Sequence, residues 1–523
     1  MAKKSKPDIV AGIDIGSHAL RMKIAEISDL GKIKTLEVLR YPISLGADTF
    51  TTGKINFAAV EKTCEILKGF KKLMSDYQVS RYRIVATSAV REAENRDYIL
   101  DQIKVKTGLN IDLINTSQEK FLIYKSIREN LTNYQKFRVE GAMLLDLGSG
   151  SISVSIYHDN KLTFTQNIKL GSLRLHEILL SIENKNINFP KTLEEYIASN
   201  IDRLQEFIPD KPVNNFIVLG GNAKIISTLC NKTEDVAALK YIDIKVFNHL
   251  YDEILNKTIP TIVKDYHLPY ERANILIPSM MVLKKFLEFT SAGGIYAPLV
   301  SLRDGIVCDI ADKIYDTQRS KDFVEDVVSS ARFIAQKYKY DQNHSEDVEK
   351  KSLLMFDKLV KLHGLGFRER FLLKLATILH DTGKFLSFDR HADHSYSIIM
   401  ASGLMGISDD ELKIIANVAG YHSSAVPRTS HQNFQKLKGN DKIIVAKLVA
   451  IIRMADALDR SHRQKIFNLR LELKETELIV KGEAQDNILL EEWTFETKSE
   501  FFQEVFGVRP ILKIKRMTEY GKI

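Results

Sequence analysis

Ile9-Val10-Ala11-Gly12-Ile13-Asp14-Ile15-Gly16-Ser17 is an apolar run that ends in Asp-x-Gly-Ser, and Met143-Leu144-Leu145-Asp146-Leu147-Gly148-Ser149 repeats the pattern 132 positions later. Each copy leads into a second alternating stretch, Leu20–Ile27 and Ser151–Tyr157. Short β-branched runs of this kind read as buried strands. A strand–Asp-x-Gly-Ser–strand unit used twice predicts two similar halves facing a cleft. At the tip of such a turn the backbone N–H groups can hold phosphate oxygens, and glycine lets the backbone come close. The aspartate offers a hard oxygen ligand for Mg2+. An ordinary turn is the plain alternative for one copy; two copies in the same context favour phosphate binding.

Outward from these units, the first 300 residues alternate strand-like and helical stretches, which predicts α/β layers. Asn56–Met74 and Gln118–Asn130 have helical apolar spacing. From Asp304 to about Arg463 the pattern becomes helical, with a capping-box sequence at Ser408–Glu411 before a helix ending near Gly420. From Ile466 strand-like alternation returns at Leu469–Leu473 and Leu478–Lys481, then a helix around Lys498–Phe506 and a strand at Ile511–Ile514. The expected division is 1–132 and 133–302 as two α/β lobes, 303–465 as a helical domain, and 466–523 as a small α/β tail of unassigned role.

The bulk numbers narrow the class. Hydrophobic residues make up 44% and charged residues 27%, as in a globular chain. Three scattered cysteines argue against a disulfide framework and fit a reducing compartment. No signal-peptide pattern or membrane-length apolar run is present, so a cytoplasmic protein without a membrane partner is expected. A net charge of +8 suits a polyanionic substrate but does not require one. No nucleic-acid partner is expected.

Gly12–Arg21 (GIDIGSHALR), Ala86–Asp97 (ATSAVREAENRD), Leu144–Ser151 (LLDLGSGS) and Leu170–Glu177 (LGSLRLHE) together resemble the exopolyphosphatase / guanosine pentaphosphatase (Ppx/GppA) family, over about residues 8–465. The resemblance implies an actin-like (ribonuclease H-like) fold in the two front lobes. It also implies removal of terminal phosphate from inorganic polyphosphate, or from guanosine pentaphosphate, by water attack on a Mg2+-held phosphate. By the same resemblance Glu119 and Asp146 are catalytic, Glu119 as general base. Asp14, Gly16, Ser17, Arg91, Gly148, Ser149, Gly150 and Ser151 bind phosphate. A homodimer is also implied, with polyphosphate or guanosine penta- or tetraphosphate as ligand. Without the resemblance, Glu119 reads as a helix-dipole partner and Arg91 as a surface ion pair.

The chain departs from the family pattern around the chemistry. Ser149 replaces a loop glycine, Ser153 stands where a glutamate is usual, His18-Ala19 replaces an Asn-Ser pair, and one acid is kept at Gln118-Glu119-Lys120 where two are common.

Residues 344–462 hold eight of the thirteen histidines, a density that singles out one ordered set. His344, His380-Asp381, His394, His422 and Asp456 are imidazole and carboxylate ligands suited to divalent metals: Mn2+, Fe2+, Zn2+ or Mg2+. Their order resembles the HD phosphohydrolase superfamily, with His394 and His422 matching its two-metal variants. His363 and His462 read as packed core residues. The leading expectation is an exopolyphosphatase-type hydrolase acting on acid anhydrides. The alternatives are an HD-centred nucleotide or phosphodiester hydrolase with a phosphate-sensing front half, a non-enzymatic guanosine tetra- or pentaphosphate sensor and, more distantly, a sugar kinase.

Overall fold

A computed structural model describes residues 7–516 except 29–30, 132–133, 149–150, 169, 173–174, 176–188, 209–210, 232–238, 299, 316 and 403. The chain divides into two compact units, Met1–Ser329 and Ser330–Ile523.

The first unit contains two sheets. One has the order β3-β2-β1-β4-β5, from β1 (Asp8–Ile15), β2 (Ala19–Ile27), β3 (Ile33–Pro42), β4 (Arg81–Ala86) and β5 (Asp112–Leu113). The other has the order β10-β11-β9-β6-β7-β8, from β6 (Ala142–Leu147), β7 (Ile152–His158), β8 (Lys161–Ile168), β9 (Asn215–Leu219), β10 (Leu239–Asp243) and β11 (Gly294–Pro298). Both repeat one plan. An antiparallel pair of hairpins (β1-β2-β3 and β6-β7-β8) is followed by a parallel neighbour, β4 beside β1 and β9 beside β6. The two hairpin tips close alike: Gly16 N–H donates to Ala19 O at 3.1 Å, and Gly148 N–H to Ser151 O at 3.0 Å. The repeat read from Asp14 and Asp146 is therefore a structural one.

β1 and β6 run one or two residues beyond the apolar runs read from the sequence, because the ladder and the buried side chains both continue to Ile15 and Leu147. The expected helix at Asn56–Met74 is Phe57–Asp76, with Asn56 as its N-cap, its side chain accepting from Ala59 N. The expected helix at Gln118–Asn130 is Thr116–Asn130, capped by a reciprocal Asn115/Gln118 box.

The helix Thr116–Asn130 links the two sheets. Its Tyr124 hydroxyl donates to Ser155 Oγ of β7 at 2.5 Å. Its buried Lys125 reaches Asp309 Oδ1 and Asp312 Oδ2, both at 2.8 Å, on the helix Leu302–Tyr315. That helix packs on β1 and on Thr116–Asn130, so the boundary expected at 302/303 is corrected. The helical pattern starting at Asp304 misled the division, since this first helix covers the first sheet. Asp309 also takes Arg83 Nη1 at 3.0 Å. Burial opposes ionisation of Asp309, but Lys125, Lys313 and Arg83 outweigh it and hold its carboxyl well below the usual range.

The second unit is a set of helices, Gln342–Lys358, Phe367–Leu379, His391–Ser402, Asp409–Gly420 and Gly439–Ala457, followed by the sheet β12 (Ile466–Leu473), β13 (Glu477–Ala484) and β14 (Arg509–Arg516). The helix Leu489–Phe506, longer than the expected Lys498–Phe506, packs along Gly439–Ala457. The 466–523 tail is thus part of the helical unit, not a separate body. Among the described residues no helix is long and apolar enough to cross a membrane.

Gly305 carries the closest helix–helix approach to the site. A Cβ there would lie 1.9 Å from the carbonyl oxygen of Leu122. Gly305→Ala is expected to cost about 3 kcal/mol by forcing the helix Thr116–Asn130 away. Thermal or denaturant unfolding of the variant checks this, and an unchanged midpoint would show that the two helices can part freely.

Candidate functional sites

In the first unit, Asp14 ends β1, Asp146 lies near the end of β6, and Glu119 sits in the first turn of Thr116–Asn130. The negative charges of both Asp146 and Asp14 act on Glu119, so the three carboxylates are neighbours. Burial pushes the Glu119 carboxyl up to about 7, against the pull of Arg91. Arg91 Nη1 stands 3.5 Å from Glu119 Oε2 and donates to Ile114 O at 2.8 Å. Burial likewise raises Asp146, to about 6, against Lys120. Asp14 is raised by burial although Arg21 Nη1 sits on its Oδ2 at 2.7 Å. Ser17 Oγ lies 3.2 Å from Ser88 Oγ, which brings the first hairpin tip to the start of the Ser88–Glu92 turn that carries Arg91.

Gly16 and Ser17 stand at the first hairpin tip after Asp14, Gly148 and Ser151 at the second after Asp146, and Ser149 and Gly150 lie outside the described residues. Gly220 adds to the second: a Cβ there would be 3.8 Å from Asp146 Oδ1. The register exposes the difference between the two copies. Asp14 faces Arg21 across its hairpin, while Asp146 faces Ser153, whose hydroxyl donates instead to Asn167 Oδ1 at 3.1 Å. Asp146 has no hydrogen-bond partner among the described residues, which leaves its oxygens available to a hard cation. Sequence reading missed Arg21 and Lys120. Arg21 could have been found from the strand alternation that pairs it with Asp14.

In the second unit, side chains from five segments converge. His344 opens Gln342–Lys358, His380 caps Phe367–Leu379 with Asp381 next, His391 opens His391–Ser402, His422 follows Asp409–Gly420, and Asp456 lies on Gly439–Ala457. Each imidazole gives its Nδ1–H to a fixed acceptor. These are Asp459 Oδ2 for His344 (2.8 Å), Thr377 O for His380 (2.7 Å), Phe388 O for His391 (3.0 Å) and Ala419 O for His422 (2.6 Å). A carbonyl can only accept, so for His380, His391 and His422 the neutral ring turns an Nε2 lone pair inward.

Those lone pairs meet other acceptors. His391 Nε2 and His422 Nε2 are 3.3 Å apart, and Asp381 Oδ1 lies 3.7 and 3.3 Å from them. His380 Nε2 is 3.3 Å from His344 Nε2 and 3.6 Å from Asp381 Oδ2. Asp456 Oδ1 is 3.2 Å from His344 Nε2 and 3.8 Å from His380 Nε2. Asp381 Oδ1 is buried without a hydrogen-bond partner. The inward Nε2 lone pairs of His380, His391 and His422 beside the carboxylate of Asp381 fit a bound cation. Three overlapping triads, His344/Asp381/His462, His344/His380/Asp456 and His380/Asp381/His422, each bring their ligand atoms within 4.8 Å of one another.

Burial drives the His380 imidazole down to about 3, which keeps it neutral. Burial works the same way on His344, but Asp456 and Asp459 outweigh it and carry that ring up to about 9. Asp381 and Asp456 are held well below the usual carboxylate range despite burial, by His380 and His422 for the first and by Lys498 and His344 for the second.

Among the described residues no hydrogen bond, ion pair or ring contact joins His394 to this cluster, whereas His391, one turn earlier, sets its Nε2 3.3 Å from His422 Nε2 and 3.7 Å from Asp381 Oδ1. His391 and His394 are three residues apart, and sequence spacing alone could not choose between them. His462 is corrected from a packed core residue. It stacks on His344 with ring centroids 3.7 Å apart, its Nδ1 lies 2.9 Å from Asp341 Oδ2, and its Nε2 lies 3.3 Å from Lys384 Nζ. Lys498 of the tail helix binds Asp456 Oδ2 and donates to His422 O at 3.0 Å. Nothing in the local sequence around Lys498 signals that role.

The sequence model of the Ppx/GppA phosphatase family matches residues 23–314, and that of domain III of Ppx/GppA phosphatases matches residues 328–503. The chain belongs to the Ppx/GppA phosphatase family. It is 22% identical over 473 residues to the guanosine-5'-triphosphate,3'-diphosphate pyrophosphatase of Photobacterium profundum, covering 87% of this chain and 88% of that protein. The bifunctional 3-dehydroquinate synthase/phosphatase of Fusobacterium nucleatum is 23% identical over 295 residues, and the match spans 43% of that protein's length. Among solved structures, the Aquifex aeolicus member of the Ppx/GppA family is 24% identical, with a TM-score of 0.51 over 59% of this chain and 99% of its own. An exopolyphosphatase from Cytophaga hutchinsonii is 19% identical, with a TM-score of 0.51 over 58% and 98%. At these identities the solved structures establish the actin-like fold of the front unit.

Replacing the two neighbouring histidines separately tests which is the ligand. His391→Ala is expected to lower the content of tightly held divalent metal by about 10-fold or more, as loss of a ligand does, and His394→Ala to leave it unchanged. Elemental analysis after dialysis measures both. Loss in the second variant alone would restore His394 as the ligand.

Proposed function

We propose that the protein is a phosphohydrolase that releases terminal phosphate from inorganic polyphosphate or guanosine pentaphosphate in the hollow between Asp14 and Asp146, acting in the cytoplasm as a homodimer. The observation that carries this reading is Glu119, a half-buried carboxyl raised to about 7 beside two other acids and Arg91. A base with that affinity for protons can accept one from an attacking water near neutral pH. Arg91 and the hairpin-tip backbone would grip the phosphate being released, with the planar guanidinium suited to two oxygens. Asp146, with Asp14 Oδ1, would hold Mg2+, which when bound neutralises phosphate charge and polarises the phosphorus. The water oxygen bonds to the terminal phosphorus, its proton goes to Glu119, the bridging P–O bond breaks, and the shortened chain leaves as an anion while the terminal unit is released as orthophosphate.

The inward-facing ligands around Asp381 favour a second reading. His344, His380, Asp381, His391, His422 and Asp456 would hold two divalent ions in an HD-type site, making domain III a second phosphohydrolase centre that acts on nucleotides or phosphodiesters. The ions would lower the affinity of bound water for its proton. The residues of the chain fix the ligand rings through their Nδ1 acceptors and keep the site closed through Lys498.

Phosphate release from long-chain polyphosphate and from guanosine pentaphosphate, with Mg2+ and with Mn2+, separates the readings. Glu119→Ala is expected to lower turnover by about 100-fold or more, and the pair His380→Ala/Asp381→Ala to leave it nearly intact. The opposite result moves the chemistry to domain III. The pH profile gives an independent check. The base works ionised, and its proton affinity is raised, so kcat/KM should climb through about pH 7 and flatten above it. A profile already flat at pH 5 would remove Glu119 as the base.

A further inference from the structure

A pocket of about 460 Å3 opens in the second unit between the helix Gln342–Lys358 and the start of β12. That volume suits a small molecule. Asn343, Glu346, Asp347, Lys350, Lys351 and Leu354 recur every three or four positions, so a single helix face makes one wall. Gln464 and the residues from Ile466 to Leu469 make the other. The second wall has an irregular backbone. Gln464 (φ 49°) and Asn468 (φ 52°) lie in the left-handed region without being glycine, and the register of β12 against β13 shifts between Phe467 and Arg470. Such bulges and left-handed residues cost free energy, and they gather where side chains are aimed at a ligand.

The side chains of the pocket leave a defined set of groups free. Asp347 is paired with Lys351, and Glu346 accepts from Gln342 Nε2 at 2.8 Å. Lys350 is exposed and holds no carboxylate among the described residues. Gln464 and Asn468 spend their amide N–H groups on Asp459 Oδ2 (2.9 Å) and Glu483 Oε2 (2.8 Å), which leaves their carbonyl oxygens to accept. Phe467 supplies an aromatic flank. Two lysines face two acids, so a bare condensed phosphate meets no surplus of positive charge. A flat base bearing N–H donors, with one short anionic tail, suits the amide oxygens, the aromatic flank and the single free ammonium together.

We propose that this pocket binds a purine nucleoside monophosphate, with its base against Phe467 and the carbonyl oxygens of Gln464 and Asn468 and its phosphate on Lys350. Its occupancy is felt at the ligand cluster. Gln464 N and Nε2 donate to Asp459 Oδ1 (2.6 Å) and Oδ2 (2.9 Å), and the same Oδ2 accepts from His344 Nδ1 at 2.8 Å. From the other wall Lys351 donates to Leu458 O at 3.2 Å. A ligand bonded to Gln464 therefore acts on the acceptor that orients His344, and by reciprocity a metal on His344 alters the affinity for the nucleotide. The coupling rests on the reading of domain III as a metal centre; the nucleotide site does not.

Calorimetric titration of the full-length protein uses GMP, AMP and sodium tripolyphosphate as probes. A purine monophosphate is expected to bind, and Phe467→Ala to weaken it by about 10-fold or more, the worth of one base–aromatic contact. Lys350→Glu changes an exposed position, leaves the core untouched and is expected to weaken binding by about 10-fold as well. Binding of neither nucleotide, or binding that both variants leave unchanged, overturns the proposal. Displacement of the nucleotide by equimolar tripolyphosphate does so too, since the pocket would then recognise phosphate alone. The coupling is read as Mn2+ affinity with and without saturating nucleotide. A change of about fivefold or more is expected, and Gln464→Ala should abolish it. Equal Mn2+ affinity in both conditions overturns the coupling. Mn2+ binding as tight in His344→Ala as in the unmodified protein would instead overturn the reading of domain III while the nucleotide site stands, so the two failures are distinct.

Discussion

Carboxylates gathered in a poorly solvated hollow repel one another and resist ionisation unless cations stand among them. Both units of this protein are arranged around that constraint. In the first, Asp14, Glu119 and Asp146 come from two hairpin tips and a helix, and all three are harder to ionise than free acids. Arg21, Arg91 and Lys120 moderate the effect without abolishing it. In the second, Asp381 and Asp456 stay ionised because imidazoles and lysines surround them. The first arrangement leaves an acid able to take up a proton near neutrality. The second leaves lone pairs and anionic oxygens facing a common space.

Holding such groups in place demands rigid supports. The helix Thr116–Asn130 touches β7 through Tyr124 and the helix Leu302–Tyr315 through Lys125 and Leu122. Glu119 is therefore held by a hydrogen bond to the second sheet and by a buried ion pair and a backbone contact to the helix Leu302–Tyr315. In the helical unit, Arg453 does similar work by donating to the carbonyls of Tyr421, Ser423 and Ala425, which fastens the loop after His422. Gly383 lets the turn after Asp381 lie directly on His391, whose carbonyl would be 2.0 Å from an added Cβ.

What was legible in the sequence follows from what is local. The twin Asp-x-Gly-Ser turns, the Asn56 cap and the Ser408 capping box were visible because short patterns determine them. The grouping of His344, His380, Asp381, His422 and Asp456 was visible through residue type and order. The choice between His391 and His394 was not, since both lie near one end of the same helix, three residues apart. Lys498 was hidden because it arrives from a segment 42 positions beyond Asp456. The membership of the helix Leu302–Tyr315 was hidden for a related reason: its helical pattern is real, but periodicity says nothing about which neighbour it covers.

The two hairpins are copies in backbone but not in charge. Where one copy sets Arg21 opposite its aspartate, the other sets the neutral Ser153. A pseudo-symmetric crevice with an unsymmetric field distinguishes the two ends of whatever lies in it. A ligand whose two ends differ in charge would be taken in one orientation in preference to the other.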